Sequence, residues 1–261
     1  MQRPAFQRTI NDIRIKSLGT GRAFRFKHPH KVRGRRVPVI YPVSAALQSG
    51  RIGGEDDIHF TGYWFRNDEP HWQPPPRLTE FLSSKPAPIY IGFGSMPALG
   101  KERTTMLLAA CEAAGQRAVL GKGWGSFQLA GDSLLSENFC FIDYAPHLSL
   151  FREVSAVVHH GGLGTTSAGL MAGCPTLVCP MMLDQAYWGH RVAELGAGPT
   201  PLPVGEWTLP RLTAAIRDLV SVGTYKARAE EVGLRMREDG GAASAARIVR
   251  NFIGMPDARA A

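Results

Sequence analysis

The sequence lacks long hydrophobic runs and paired cysteines. No apolar stretch approaches the roughly 20 residues that a helix needs to span a bilayer. The start, MQRPAFQRTINDIRIK, has no apolar core of the signal-peptide type. The four cysteines form no CxxC pair and lie in apolar surroundings, which favours reduced and buried thiols. These absences argue against a secreted or membrane-spanning protein and predict a cytoplasmic one.

The net positive charge is confined to the first 36 residues. That segment contains eleven lysines and arginines against one acid, and the whole chain carries a net charge of +8, so the remainder carries −2. The basic arm FRFKHPHKVRGRR fits peripheral contact with an anionic membrane surface, or simply a solvated segment. No zinc-finger spacing and no aromatic RNA-binding signature accompany it, so we expect no nucleic-acid partner.

Composition changes near residue 70, where the proline-rich stretch NDEPHWQPPPRL predicts a stiff, extended linker. Beyond it, short apolar runs alternate with helical patterns. We predict strands at 87–93, 117–121, 138–144, 155–160 and 175–180, and helices at 101–115, 165–173, 184–196, 208–220, 224–238 and 242–253. This alternation predicts an α/β domain with a doubly wound, Rossmann-like parallel sheet at 76–240. Residues 1–75 precede this domain, and a C-terminal helix and tail at 241–261 follow it.

The stretch VVHHGGLGTT at 157–166 places glycines where an apolar run stops and a helix begins. Backbone N–H groups at a helix start are unpaired, and the helix dipole adds positive potential there. With the His160 ring and the hydroxyls of Thr165 and Thr166, such a start can hold a diphosphate without a metal. The alternative is an ordinary Gly-Gly turn with Thr165 as the helix N-cap. The stretch matches neither the Rossmann nor the Walker pattern.

Asp184 and Gln185 follow the next predicted strand, at the same edge of the sheet. A carboxylate beside an amide suits sugar hydroxyls, because the carboxylate accepts hydrogen bonds and the amide both donates and accepts them. The alternative is that Asp184 caps the following helix.

The block HHGGLGTTSAGLMAGCPTLVCPMMLDQAYWGHRVAELGAGP (159–199) closely resembles the donor-binding signature of the family-1 glycosyltransferases. TGYWF (61–65), LTEFLSSKPAPIYIGFGSM (78–96) and APHLSLFREVSAVVHHGG (145–162) also match. The resemblance is strongest to the sterol and lipid glucosyltransferases and their antibiotic-aglycone relatives. It implies the C-terminal half of a GT-B fold, with residues 1–75 holding the end of the N-terminal acceptor domain and the interdomain linker.

The resemblance implies a role for each residue that matches the family motif. It assigns Gly94, Ser95, His160, Gly162, Gly164, Thr165 and Thr166 to the diphosphate, Asp184 and Gln185 to the sugar, and Trp124, Tyr144, Ala145 and His147 to the nucleobase. Two positions depart from the wider family. Ala168 stands where plant members carry a ribose-binding glutamate, and Leu148 follows His147 where relatives often carry aspartate.

The resemblance also implies inverting transfer from a UDP-sugar, most simply UDP-glucose, to a hydroxyl of a lipid, sterol or other small aglycone. The sugar nucleotide is a co-substrate, and neither a cofactor nor a metal is expected, since the acidic run 55–57 reads as a solvated turn. No catalytic residue is expected in this chain. The family's base is a histidine in the acceptor domain, and His28 and His30 do not match its context.

Three hypotheses follow for the whole chain. The first is that it is the donor domain of a glycosyltransferase, as a fragment or as half of a split enzyme with a separate acceptor-domain chain. The second is that it is a non-catalytic module that binds nucleotide sugars, or an inactive fragment. The third is that it is a GT-B epimerase, which would need acidic residues from both domains and a different motif.

Overall fold

The structure is a computed structural model and describes residues 15–16, 31–32, 35–48, 57–65, 72–124, 127–128 and 137–254. The chain divides into two compact units. One comprises residues 1–40, 52–59 and 246–261, and the other comprises residues 41–51 and 60–245. The second unit contains the large sheet and therefore the candidate site.

Strands and helices alternate along most of the described part of the chain. The described strands are β1 (Lys31–Val32), β2 (Arg35–Arg36), β3 (Val39–Tyr41), β4 (Ile58–Phe60), β5 (Ile89–Gly92), β6 (Ala118–Gly121), β7 (Phe139–Ile142), β8 (Val157–His159) and β9 (Thr176–Val178). The described helices are α1 (Pro76–Ser83), α2 (Gly100–Ala113), α3 (His147–Leu150), α4 (Leu163–Met171), α5 (Gln185–Glu194), α6 (Leu209–Ser221), α7 (Gly223–Arg237) and α8 (Gly241–Ile253). β1 pairs with β2, and β3 with β4, in two small sheets.

The large sheet has the strand order β7-β6-β5-β8-β9, and all of its pairs are parallel. The chain runs outward from β5 to β7, then returns to the other side of β5 to form β8 and β9. The order therefore reverses between β5 and β8, which makes this gap the topological switch point. Gly92 lies opposite both Gly121 and His159, so the carboxyl ends of the strands are level.

Both faces of the sheet are buried, which explains why its strands read as short apolar runs. In β5, Ile89 and Ile91 pack with a core that includes Leu107 of α2 and Leu212 of α6. Tyr90 points to the opposite face and packs with a second core around α3 and α4. The prediction of a doubly wound α/β fold is confirmed.

One helix was not predicted. The proline-rich stretch was interpreted as an extended linker before residue 76, and α1 begins at Pro76. Proline at the first helical position has its φ preset and loses no hydrogen bond, because that N–H would be unpaired in any residue. Pro76, the last proline of the stretch, therefore starts a helix instead of continuing the linker.

Candidate functional site

The loops after β5 and β8 meet at the switch point. Gly94 has a φ of +57°, and a Cβ built there would lie 3.4 Å from Cε1 of the His160 ring. Ser95 beside it is exposed. Open α/β sheets bind their ligands at this position, outside the carboxyl ends of the strands. The structure thus brings Gly94, Ser95 and His160 together.

The start of α4 is open. Gly162 occupies the N-cap position and supplies no side-chain hydrogen bond to the first turn. A Cβ at Gly162 would lie 2.6 Å from Nε2 of His160, so the glycine leaves this ring nitrogen uncovered. Backbone N–H groups, the positive end of a helix dipole and a histidine ring thus converge, as an anion site requires.

The two threonines of the motif differ in their surroundings. Thr166 is buried, and its hydroxyl donates to the Gly162 carbonyl oxygen at 2.9 Å, so it stabilises the first turn of α4. Thr165 is partly exposed on the same turn. The alternative that Thr165 caps the helix is wrong, because the helix begins two residues earlier and Gly162 is its N-cap.

His160 is held in its neutral form. Burial lowers the pKa of this imidazole below its usual 6.5, and the backbone of Gly92 and the Asp184 carboxylate oppose that shift without reversing it. At pH 7 the ring therefore donates one N–H and carries no charge. Asp184 lies in the connection from the carboxyl end of β9 to α5, at the same edge of the sheet as His160.

Asp184 occupies the N-cap position of α5, as the alternative predicted, but its side chain makes no hydrogen bond to the first turn. It is exposed, and its Oδ2 accepts a 2.7 Å hydrogen bond from Nε1 of Trp188. Gln185 is buried, and its Oε1 accepts from the backbone N–H groups of Met181 and Met182 at 2.7 and 3.0 Å. The amide of Gln185 therefore shapes the loop that presents Asp184.

A cavity of about 300 Å³ adjoins Gly94. The predicted nucleobase residues Tyr144, Ala145 and His147 line it. Trp124 is not among the lining residues. Its side chain is 85% exposed, and its backbone N–H donates to the Gly94 carbonyl oxygen at 3.1 Å. Trp124 therefore ties two loops of the site together through its backbone.

Tyr90 closes one side of this cavity, and sequence reasoning missed it because it reads as a buried strand residue. Its hydroxyl lies 3.4 Å from Nε2 of His147. A Cβ at Gly92 or Gly121 would lie 2.2 or 2.5 Å from that oxygen, so both strands must end in glycine. Burial raises the pKa of Tyr90 to about 12, which keeps the phenol neutral.

Tyr63, from the TGYWF segment, was also missed. Its hydroxyl oxygen would lie 2.7 Å from a Cβ on Gly164, so the phenol packs against one side of the first turn of α4. Only its fold position reveals this, because 101 residues separate the two along the chain.

Within the described ranges, no group of three or more His, Cys, Asp and Glu side chains could hold a metal ion. Asp57 accepts from Nη1 of Arg36 at 3.3 Å. The other acidic residues of that run, like His28 and His30, lie outside the described residues. No helix in the described part of the chain is long and apolar enough to cross a membrane.

Comparison with known proteins agrees with this geometry. Residues 127–253 match the model of the erythromycin biosynthesis protein CIII-like C-terminal domain. The chain is 35% identical, over 96% of its length, to a sterol 3-beta-glucosyltransferase of Arabidopsis thaliana, of which it spans 38%. It is 39% identical, over 81% of its length, to the vancomycin aglycone glucosyltransferase of Amycolatopsis orientalis, of which it spans 49%.

Solved structures show the same fold. A calicheamicin glycosyltransferase superposes with a TM-score of 0.67 at 19% identity, with 98% of this chain and 60% of that one covered. The kitacinnamycin glycosyltransferase gives a TM-score of 0.68 at 21% identity, with 85% and 56% covered. The chain belongs to the family-1 glycosyltransferases of the GT-B fold and corresponds to their C-terminal half.

Proposed function

We propose that this chain binds a UDP-sugar, most simply UDP-glucose, as the donor half of a glycosyltransferase. The observation that supports the proposal is the meeting of three features at the switch point: the uncapped start of α4, the neutral His160 ring, and the cavity beside Gly94. A diphosphate at the helix start would place a nucleobase in the cavity and a hexose near Asp184.

The helix start supplies the electrostatic part of this site. Backbone N–H groups and the ring N–H of His160 would hold the diphosphate and stabilise the negative charge that develops on it as it leaves. Gly94, Ser95, Gly162, Gly164 and Thr165 would surround the phosphates. Thr166 would act by holding the first turn, and the nucleobase would lie against the segment 144–147.

The proposed reaction is an inverting transfer. The acceptor oxygen attacks the anomeric carbon while the bond from that carbon to the diphosphate oxygen breaks. UDP leaves with the bonding electrons, and the acceptor proton passes to a base in an acceptor-binding half. The chain spans 38% of the Arabidopsis relative and 49% of the vancomycin aglycone glucosyltransferase. We therefore propose, beyond the part that this chain covers, both that base and an acceptor that is a lipid, sterol or other small aglycone.

Donor binding can be tested directly by calorimetry and thermal shift with UDP-glucose. Replacing His160 by alanine should weaken binding roughly tenfold to a hundredfold, the worth of one hydrogen bond to a charged group. His190→Ala is the matched control, because that histidine is exposed and bonds only to its own helix. If the unmodified protein binds no nucleoside diphosphate sugar, the proposal is wrong.

The sugar site has a separate test. Asp184→Asn keeps an oxygen that can accept from Trp188, yet it changes the group that would face the sugar hydroxyls. We expect UDP-glucose to lose about fivefold more affinity than UDP, about the worth of one hydrogen bond. Asp218→Asn, on the exposed face of α6, should change neither. Equal losses for both ligands would remove Asp184 from the sugar site.

A transfer assay separates the two remaining hypotheses. With a supplied acceptor-binding half from a relative and a sterol acceptor, a catalytic donor half should form glycosylated product. If the donor binds but is neither transferred nor hydrolysed under those conditions, the result favours a non-catalytic module.

A further inference from the structure

His159 is the fully buried neighbour of the proposed phosphate ligand. It ends β8, and its Nδ1 accepts a hydrogen bond of 2.9 Å from the backbone N–H of Gly161. Because an N–H donates to it, Nδ1 carries no proton, and the neutral ring must carry its proton on Nε2. Nε2 is buried and has no hydrogen-bond partner among the described residues.

Gly161 joins His160 to the N-cap of α4 and has little freedom to move. Its φ is +97°, and a Cβ there would lie 2.6 Å from Cγ1 of Val178 and 2.8 Å from the carbonyl oxygen of Gln185. β9 and α5 therefore confine the turn on one side. On the other side, the ring of His159 accepts the hydrogen bond from the Gly161 N–H.

We propose that His159 is a positioning residue for donor binding: its Nδ1 holds the Gly161 N–H and so sets the path of the chain from His160 into α4. The inference rests on the proposed function, since it assumes that the start of α4 binds the donor. His159 does not itself touch the ligand. It acts by keeping the His160 ring and the first N–H groups of the helix aimed at one point.

The surroundings of His159 keep it in the required form. Burial lowers the pKa of the ring well below 6.5, and the nearby imidazoles of His160 and His147 lower it further. Protonation would place a hydrogen on Nδ1 and abolish the acceptor. The bond to Gly161 is therefore present at neutral pH.

Three substitutions of His159 separate its hydrogen bond from its packing. In His159→Asn the amide oxygen is attached at Cγ, as Nδ1 is, so it can accept from Gly161. In His159→Gln the oxygen lies one bond further out, and His159→Leu has no acceptor. Calorimetry with UDP should show the Asn variant within about twofold of the unmodified protein and the Gln and Leu variants weakened about fivefold to tenfold, the worth of one ordinary hydrogen bond.

Two outcomes would overturn the inference while leaving the proposed function standing: a Leu variant that binds UDP like the unmodified protein, or an Asn variant as weak as Leu. Should the variants fail to fold, NMR of isotope-labelled histidine in the unmodified protein decides. We expect the Nε2-protonated tautomer, and an Nδ1-protonated ring would refute the bond. If the unmodified protein binds no UDP-sugar, the proposed function itself is refuted.

Discussion

Replacing Gly123 by alanine should be among the costliest single-methyl changes in the donor site. The residue follows β6 with a φ of +53°, and its Cβ would lie 2.2 Å from the carbonyl oxygen of Gly94. That oxygen accepts from the backbone of Trp124. The neighbour is therefore main chain that cannot rotate away, and one of the two loops must shift.

The magnitude follows from two contributions. The left-handed backbone costs a non-glycine residue about 1–2 kcal/mol, and forcing a methyl into a packed site adds about 1–3 kcal/mol. Gly100→Ala is the matched control, because Gly100 has a φ of +78° and no atom within 4 Å of its Cβ position. We expect Gly123→Ala to lower the free energy of unfolding by about 2–5 kcal/mol, and Gly100→Ala by about 1–2 kcal/mol.

Urea unfolding followed by circular dichroism measures both variants, with an unchanged denaturant dependence as the check on two-state behaviour. Because Gly123 lines the cavity, its variant should also bind UDP more weakly than the Gly100 variant does. Equal costs for the two substitutions would refute the steric reasoning.

Three further predictions concern stability and reactivity. Gly164→Ala should cost about 1–3 kcal/mol because its methyl meets the Tyr63 hydroxyl, and Tyr63→Phe should recover part of that loss in a double-mutant cycle; additive costs would contradict this. Burial lowers the pKa of His147 and His159, so the unfolded chain binds more protons below about pH 6.5, and stability should fall on acidification by up to about 1.4 kcal/mol per pH unit for each histidine. Urea titrations at several pH values would show this, and a flat profile would oppose it. A thiol reagent should label no cysteine in the folded protein and all four after unfolding, since every one is buried and burial raises the pKa of Cys111 and Cys179 to about 12.

The sheet could be predicted from the sequence because each of its strands is buried on both faces. A run such as APIYIGF is then apolar throughout and can be recognised as a strand by itself. The helix patterns between such runs imply parallel pairing. Helix α1 escaped prediction because proline favours both extended chain and the first turn of a helix, and only packing decides between them. The short helix α3 was not predicted either, and the boundaries of the predicted elements differ from the observed ones by a few residues, as helix and strand ends generally do.

The residues of the candidate site could be predicted only in part from the sequence. Its glycines and His160 lie in one motif, so their meeting follows from the strand-to-helix turn. Tyr63 and Tyr90 reach the site through the fold, and no local pattern marks them. The side chain of Gln185 is occupied by the loop backbone, which residue type alone could not reveal.

The phenol of Tyr90, wedged beneath the ends of two strands, has an evolutionary consequence. While position 90 holds tyrosine, neither Gly92 nor Gly121 can gain even a methyl group without a collision. Drift at these three positions should therefore be concerted, with larger residues at the strand ends tolerated only in homologues that have lost the ring or its oxygen. The shape of the neighbouring hollow would then change in steps from one lineage to another.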